Sequence, residues 1–317
     1  DNKMLDYIKE VLKNRPSDWL NLTTHRLDIY DEKLAKTQFL NQFEALYKAN
    51  NSASSALSEI PTAYDYIRLG HPLSCILEWG IAHLHNLKLA SVISFSSQTV
   101  PVLAVLRKNL LEKRQTQILY TRTLPRLFDA EVIQKVYGYS FDLKQIEAGA
   151  KIPSFDGSTV LITQENGFGK TALPTEVDFH ISLYENIGSV LIINGAKNEN
   201  YTTEIQHVRR RETIAMTPAN SLVALQSLVE NAPFEKIVTA VEANNASVLR
   251  SVKEITGSTT KALVASSGLS MQYAIMMGLI HDALENHKGK AIKFIVPPNC
   301  YGGTNDQARR VAACIDN

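Results

Sequence analysis

The order of apolar and polar positions predicts strands and helices that alternate through the middle of the chain. Short apolar runs of strand length are separated by segments whose apolar residues recur at helical spacing. The predicted strands are 92–98, 117–121, 159–164, 189–194 and 213–217, and the predicted helices are 100–111, 129–136, 179–186 and 218–229. This alternation is typical of an α/β fold with a doubly wound, mostly parallel sheet.

The first sixty residues have a different pattern, which is polar with amphipathic helical spacing. We expect helices there, interrupted at Pro16-Ser17-Asp18 and by a loop in 50–55. After Gly70-His71-Pro72, Ser74 is expected to cap a helix that runs to His85.

The stretch 262–304 carries the strongest functional signal. An apolar run ends at Ser266-Ser267-Gly268, a helical pattern follows, and a second apolar run, 292–296, leads to Tyr301-Gly302-Gly303. The first amides of a helix lack backbone partners and the helix dipole is positive there, so an anion binds well. Because ligands bind at the carboxyl ends of parallel strands, we expect the anion site and the Tyr301 ring to face one crevice. Taken singly, the two motifs are also an ordinary helix cap and an ordinary turn.

Together these motifs resemble the Cys/Met-metabolism family of pyridoxal-phosphate enzymes, which includes cystathionine γ-synthase, cystathionine lyases and methionine γ-lyase. The resemblance implies a large domain of fold type I and pyridoxal 5′-phosphate as cofactor. It places Ser266, Ser267, Gly268 and Leu269 at the cofactor phosphate, and the Tyr301 ring on the pyridine ring. It also implies a sulfur-containing amino acid as substrate.

A second segment, residues 63–73, is similar to the family's Tyr-x-Arg-x-x-Asn-Pro-Thr sequence. In the family, this Tyr and Arg cross a subunit interface to the neighbour's cofactor phosphate, and the planar guanidinium suits phosphate oxygens. The matching residues here are Tyr66 and Arg68, with His71 where the family has Asn. The alternative is an interdomain ion pair and a packed ring.

The pattern of residues 73–98 recurs in 247–268 and places Ser96-Ser97-Gln98 over Ser266-Ser267-Gly268. We therefore expect an internal duplication. The predicted organisation is a helical segment over 1–60, a degenerate pyridoxal-phosphate-transferase-like α/β domain over 61–232, and the truncated start of a second such domain over 233–317. The first copy would lend Tyr66 and Arg68 to the phosphate held by the second.

The first copy lacks the residues that the family's chemistry needs. Gln98 replaces the loop glycine, Asn194 stands where the family has the Asp beside the pyridine nitrogen, and Asn220 stands at the Schiff-base lysine. In the second copy the family's lysine would follow Tyr-Gly-Gly-Thr, where only residues 305–317 remain. We expect no catalytic residue in this chain, and we expect the chain to be a fragment completed by a homo-oligomer or by a complementary C-terminal chain.

Composition argues against several classes of protein. The net charge of +1 does not call for nucleic acid as a partner, and no apolar run has the length of a membrane span. The three cysteines lack the spacing of a metal site, which favours a reduced, cytoplasmic protein without a metal.

Two rival functions remain open at this stage. A pseudoenzyme or scaffold subunit of the same fold would account for Asn194 and Asn220. A plain phosphate-binding module would keep residues 266–268 but would leave Tyr301 without a role.

Overall fold

The computed structural model describes residues 2–21, 32–61, 68–235 and 237–315, with the side chains of 32–35 excepted. A six-stranded sheet forms the centre of the α/β part. Its strands are β1 (Val92–Phe95), β2 (Thr116–Tyr120), β3 (Asp142–Gln145), β4 (Ser158–Glu165), β5 (Phe179–Tyr184) and β6 (Gly188–Ile193).

The sheet is mixed, with the order β1-β6-β5-β4-β2-β3. The β2–β3, β2–β4 and β4–β5 pairs are parallel, whereas β6 runs antiparallel to both of its neighbours. The β5–β6 hairpin therefore brings its turn to the end of β1. Gly188 begins β6 with φ of 141°, and a Cβ there would lie 2.2 Å from the Phe95 carbonyl oxygen, so this approach requires glycine.

Helices cover both faces of the sheet. They are α1 (Asn2–Asn14), α2 (Glu32–Lys48), α3 (Ser54–Ser58), α4 (Pro72–Leu84), α5 (Val100–Leu111), α6 (Ala130–Lys135), α7 (Tyr201–Glu212) and α8 (Pro218–Glu230). Val92, Val190 and Ile192 pack into the core that α1 to α4 share with α8, whereas Ile93 and Leu191 face the core under α5 and α7. Successive strand residues thus alternate between two cores, which is the doubly wound arrangement.

Two of the predicted elements in this part are wrong. Residues 179–186, predicted as a helix, contain strand β5, and all six of its residues are buried. A short run buried on both faces shows no period that distinguishes a strand from a helix. Residues 213–217, predicted as a strand, follow the end of α7 without joining the sheet, although the Ile214 carbonyl accepts a hydrogen bond from the Ser96 amide at 3.2 Å.

The C-terminal part consists of helices α9 (Val241–Thr256), α10 (Gly268–Asn286) and α11 (Gly302–Ala312). The strands predicted at 262–266 and 292–296 are wrong, because neither segment is in a strand and no second sheet forms among the described residues. Leu263 is 72% exposed and Ile295 is 97% exposed. Because neither segment joins a sheet, these apolar side chains stay in contact with water. The duplication remains a prediction.

A buried carboxylate joins the sheet to the helices on both sides of it. Glu78 of α4 is 1% exposed and accepts hydrogen bonds from the Ser94 amide at 2.8 Å and from Arg209 Nη1 of α7 at 2.7 Å. Lys36 of α2 also pairs with it. Burial alone would raise the pKa of Glu78, but the charges of Lys36 and Arg209 hold it at about 2.

We expect Glu78→Gln to destabilise the protein by about 3 kcal/mol at neutral pH, because the buried Arg209 and the partly buried Lys36 would lose their carboxylate. The pKa of Glu78 falls from 4.5 to about 2 on folding, so its contribution is complete above 4.5 and is lost as the pH drops towards 2. The variant should lose that part of the acid sensitivity. Urea unfolding at a series of pH values measures both effects.

Glu112→Gln is the matched control, because its carboxylate pairs with Lys108 on the surface and is 42% exposed. Its stability should change by less than about 0.5 kcal/mol. Equal losses in the two variants would contradict the importance of the buried network.

Candidate anion-binding site at two helix N-termini

The loop before α10 has the geometry of a strong helix cap. Ser267 Oγ accepts a hydrogen bond from the Ser270 amide at 3.1 Å, and Ser270 Oγ accepts one from the Ser267 amide at 3.1 Å. This reciprocal pair fixes the first turn of the helix. A Cβ added to Gly268 would meet no atom within 4 Å, so there is open space where the first amides emerge. An anion can approach the backbone there.

The N-terminus of α11 lies beside that of α10. A Cβ on Gly303 would lie 2.5 Å from Tyr301 Cε1 and 3.0 Å from Leu269 Cδ1, so both side chains pack against this glycine. Gln272 Nε2 donates a hydrogen bond to the Thr304 carbonyl at 3.2 Å. Leu269 is buried, whereas Tyr301 is 55% exposed. Leu269, which follows the serine–glycine loop, thus shares a contact with Tyr301 at two helix N-termini and not at the carboxyl ends of strands.

Arg68 lies at the start of the described segment 68–235 and lines a small cavity of about 100 Å³ beside α7. Lys36, His207 and Arg210 also line it, which makes the lining rich in cations. Burial and the neighbouring Arg211 lower the pKa of Arg210, and Tyr301 is among the groups that act in the opposite direction. Helix α7 therefore connects the surroundings of Arg68 with those of Tyr301. Tyr66 lies outside the described residues.

Two ionic contacts hold α11 against α7. Asp306 Oδ2 is 2.9 Å from His207 Nε2 and 2.8 Å from Arg211 Nε. Burial alone would raise the pKa of Asp306, but these two partners lower it. Because Tyr301 precedes this helix, the same contacts set the distance of its ring from α7.

A buried polar cluster lies deeper in the same interface. Glu212 Oε1 is 3.5 Å from Arg107 Nη1 and 3.4 Å from Arg310 Nη2, and Arg107 Nη2 donates a hydrogen bond to the Arg310 carbonyl at 2.7 Å. The hydroxyls of Tyr139 and Tyr273 lie 2.7 Å apart. Burial raises the pKa of Glu212 although both arginines act against this. The interface is thus specified by charge pairing as well as by apolar packing.

The loop of the first half lines a separate, larger cavity. Ser96, Ser97, Gln98 and Asn220 all line it. Asn194 does not join them. It follows β6 at the opposite end from the loop, since Phe95 pairs with Ser189, and its amide donates to the carbonyls of Pro174 and Val177. Its assignment beside a cofactor ring of this half is wrong.

His71 takes the capping position that Ser74 was expected to fill. His71 Nδ1 accepts a hydrogen bond from the Ser74 amide at 3.3 Å, and Ser74 Oγ accepts one from the His71 amide at 3.0 Å. The second ring nitrogen, Nε2, lies 2.6 Å from the Met216 carbonyl oxygen. Asparagine is itself a preferred N-cap, so the His71 side chain performs a task that Asn also performs.

Further classes of site are absent from the parts of the chain that the structure covers. No helix within 2–21, 32–61, 68–235 and 237–315 is long and apolar enough to cross a membrane. Over the same ranges, no three side chains of His, Cys, Asp or Glu cluster as metal ligands would.

The fold and the site together define an α/β protein with a mixed six-stranded sheet and a candidate anion site at two adjacent helix N-termini. No family model matches the chain, and no curated protein matches it. Among solved structures, one match is a protein assigned as a histidinol-phosphate aminotransferase from Erwinia carotovora atroseptica. It is 12% identical, with a TM-score of 0.27 over 95% of this chain and 94% of that one. A likeness at this level carries no argument about function.

We expect Arg310→Ala to release α10 and α11 from the α/β part. The variant leaves the buried Glu212 carboxylate with Arg107 and the weaker Gln307 contact, at a cost of about 3 kcal/mol. Hydrogen exchange at the α11 amides should then accelerate by about a hundredfold, since 1.4 kcal/mol corresponds to a factor of ten.

Arg309→Ala is the matched control, because Arg309 is the exposed neighbour on the same helix. Its exchange rates should stay within about threefold of the unmodified protein. Unchanged protection of α11 in the Arg310 variant would show that the charged cluster does not hold this interface.

Proposed function

We propose that this chain is the cofactor-phosphate-binding part of a pyridoxal-phosphate-dependent enzyme of sulfur amino acid metabolism. The reaction class is β- or γ-elimination or replacement, as in cystathionine synthases and lyases. The observation that carries the proposal is the contact between two helix N-termini, where the side chains of Leu269 and Tyr301 both pack against Gly303. The mixed α/β sheet is consistent with an architecture of the fold-type-I kind.

The residues of the α10 loop fit a phosphate group. The first amides of α10 have no partner within the helix, and its dipole favours negative charge. Gly268 leaves space for phosphate oxygens, while Ser266 and Ser267 place hydroxyls beside it. Leu269 anchors the turn through its contact beside Gly303. A phosphate held here would lie next to the aromatic ring of the neighbouring helix.

Tyr301 fits the stacking role. Its ring is held against Gly303, and 55% of the side chain remains exposed. A flat heteroaromatic ring can stack on such a surface, because offset stacking needs one open face. Pyridoxal phosphate would supply an electron sink to the amino acid substrate when bound. Tyr301 would orient that ring and shield one of its faces from water.

Arg68 would reach the phosphate from the first half of the chain, together with Tyr66. Arg68 lines the cation-rich cavity on α7, and Asp306 ties α11 to the same helix. Lys36 in this cavity pairs with Glu78, so its ammonium does not serve as an anchor for the cofactor. The anchoring lysine and the carboxylate beside the pyridine nitrogen would come from a complementary C-terminal chain or from another subunit.

A second candidate is a non-catalytic subunit of the same fold. The first half supports it, because Gln98 and Asn220 line the cavity where the resemblance would require the loop glycine and the lysine. Such a protein would bind no cofactor at the α10 loop, and this difference separates the two candidates.

We expect the chain to bind pyridoxine 5′-phosphate, which lacks the aldehyde and cannot react with surface lysines, more tightly than pyridoxine. Gly268→Val should weaken that binding by at least about tenfold, since each 1.4 kcal/mol of lost phosphate contact is a factor of ten. Tyr301→Ala should weaken the binding of both ligands. Fluorescence titration of the ligands measures these affinities.

Gly278→Val is the matched control, because it lies on the same helix and a Cβ there also meets no atom within 4 Å. It carries the same cost of a branched residue in α10 without touching the loop. Equal affinities for the two ligands, or equal effects of the two glycine variants, would favour the non-catalytic subunit.

A further inference from the structure

A cavity of about 630 Å³ opens at the carboxyl end of β1, apart from the α10 loop. Its volume is within the range of small-molecule sites. Several separate segments wall it: the loop before α5, the β5–β6 turn, the start of α8, residues 126–127, and the start of α9. The lining includes Gln98, Arg126, Asn186, Asn220, Glu242 and Asn245.

Two side-chain amides present oxygens for a ligand. Gln98 Nε2 donates to the Tyr184 carbonyl at 3.1 Å, and Asn220 Nδ2 donates to the Ile187 carbonyl at 3.0 Å. A backbone carbonyl can only accept, so these bonds fix which amide atom is the nitrogen. The oxygens Gln98 Oε1 and Asn220 Oδ1 accept no hydrogen bond from the described residues. They are therefore suitable acceptors for a ligand's N–H groups.

The loop itself argues against a phosphate in this cavity. Ser97 Oγ already accepts hydrogen bonds from the Thr99 amide at 3.2 Å and the Val100 amide at 3.1 Å. The amides that would hold an anion at the start of α5 are thus partly satisfied by the chain. Gln98 also stands where the α10 loop has glycine, so its side chain occupies space near the backbone.

Two of the residues that line the cavity, Arg126 and Glu242, form an ion pair. Arg126 Nη2 is 2.7 Å from Glu242 Oε1, and the two side chains are 70% and 78% exposed. Such an exposed pair is weak, because water competes with each partner. A ligand that carries both charges can replace the pair without leaving either side chain unpaired. A guanidinium binds a carboxylate with two parallel hydrogen bonds, and a carboxylate binds an ammonium.

We propose that this cavity is a binding site for a small zwitterion of the α-amino acid type. Arg126 binds the ligand carboxylate, and Glu242 binds the ammonium with help from the amide oxygens of Gln98 and Asn220. Leu127 and Ile187, which also line the cavity, contact the apolar part of the ligand. This proposal does not depend on cofactor binding at the α10 loop.

Isothermal titration of the full chain with L-methionine tests the proposal, with two analogues as probes of the charges. L-methionine methyl ester lacks the carboxylate, and N-acetyl-L-methionine lacks the ammonium. We expect saturable binding of the amino acid and at least about tenfold weaker binding of each analogue. Arg126→Gln should weaken L-methionine binding by a similar factor, and so should Glu242→Gln.

The control variants are Arg250→Gln and Glu254→Gln, which remove exposed charges from α9 away from the cavity lining. They should bind L-methionine as the unmodified chain does. Gly268→Val should also leave this binding unchanged, which separates the cavity from the α10 loop. The proposal is overturned if L-methionine does not saturate the chain below about 10 mM, if the analogues bind equally well, or if the Arg126 and Glu242 variants behave like the controls.

Discussion

The ion pair between Glu78 and Arg209 is the interaction on which the arrangement of the described chain depends. It joins α4 on one face of the sheet to α7 on the other. Both side chains also bond to the backbone of Ser94 in β1: Glu78 accepts from its amide, and Arg209 donates to its carbonyl. Both side chains are nearly inaccessible to water, at 1% and 3% exposure. Removing one charge would leave the other buried without its partner, which is strongly destabilising. The pair therefore holds the helix layers on the two faces of the sheet together. Lys36 extends the same network to α2.

Helix α7 transmits this constraint to the candidate site. Arg209 faces the sheet, while His207, Arg211 and Glu212 face α11 within the same two turns. The candidate site at α10 and α11 is therefore positioned by a helix whose own place is fixed by buried charge. Apolar packing adds to this where Tyr273 and Met277 of α10 join Val311 of α11 in a small core. A change in the α/β part that moved α7 would move Tyr301 with it.

The sequence predicts the elements well wherever periodicity is complete. Helix 100–111 has the bounds of α5, and the predicted strand 159–164 lies within β4. The failures occur where local pattern does not contain the deciding information. Strand β5 is buried on both faces, so its sequence has no alternation, and the segment 292–296 is apolar enough for a strand but joins no sheet.

The candidate site was predictable in part for the same reason. Ser267, Gly268 and Tyr301 follow from local motifs, and the structure places them at neighbouring helix starts. His207, Arg210 and Asp306 come near the candidate site because α11 docks on α7. No local sequence motif predicts that contact between the helices. Similarity to the family alone predicts Asn194 beside a cofactor ring, and this prediction is wrong. The antiparallel direction of β6 puts that residue at the far end of the sheet from the β1 loop.

The two serine loops show how one motif can stabilise a fold in one place and leave a site open in another. In the first loop, Gln98 bonds to the β5–β6 hairpin and Ser189 Oγ donates to the Ser97 carbonyl at 2.6 Å, so the loop's polar groups hold the sheet edge together. In the second loop, the Ser267 hydroxyl caps its own helix, and a Cβ added to Gly268 would meet no atom within 4 Å. Both loops thus use some of their amides and hydroxyls within the protein, but only the first carries a side chain, Gln98, where the second has glycine. The Gln98 side chain near the backbone makes the first loop the poorer candidate for a phosphate, whatever the origin of the two loops.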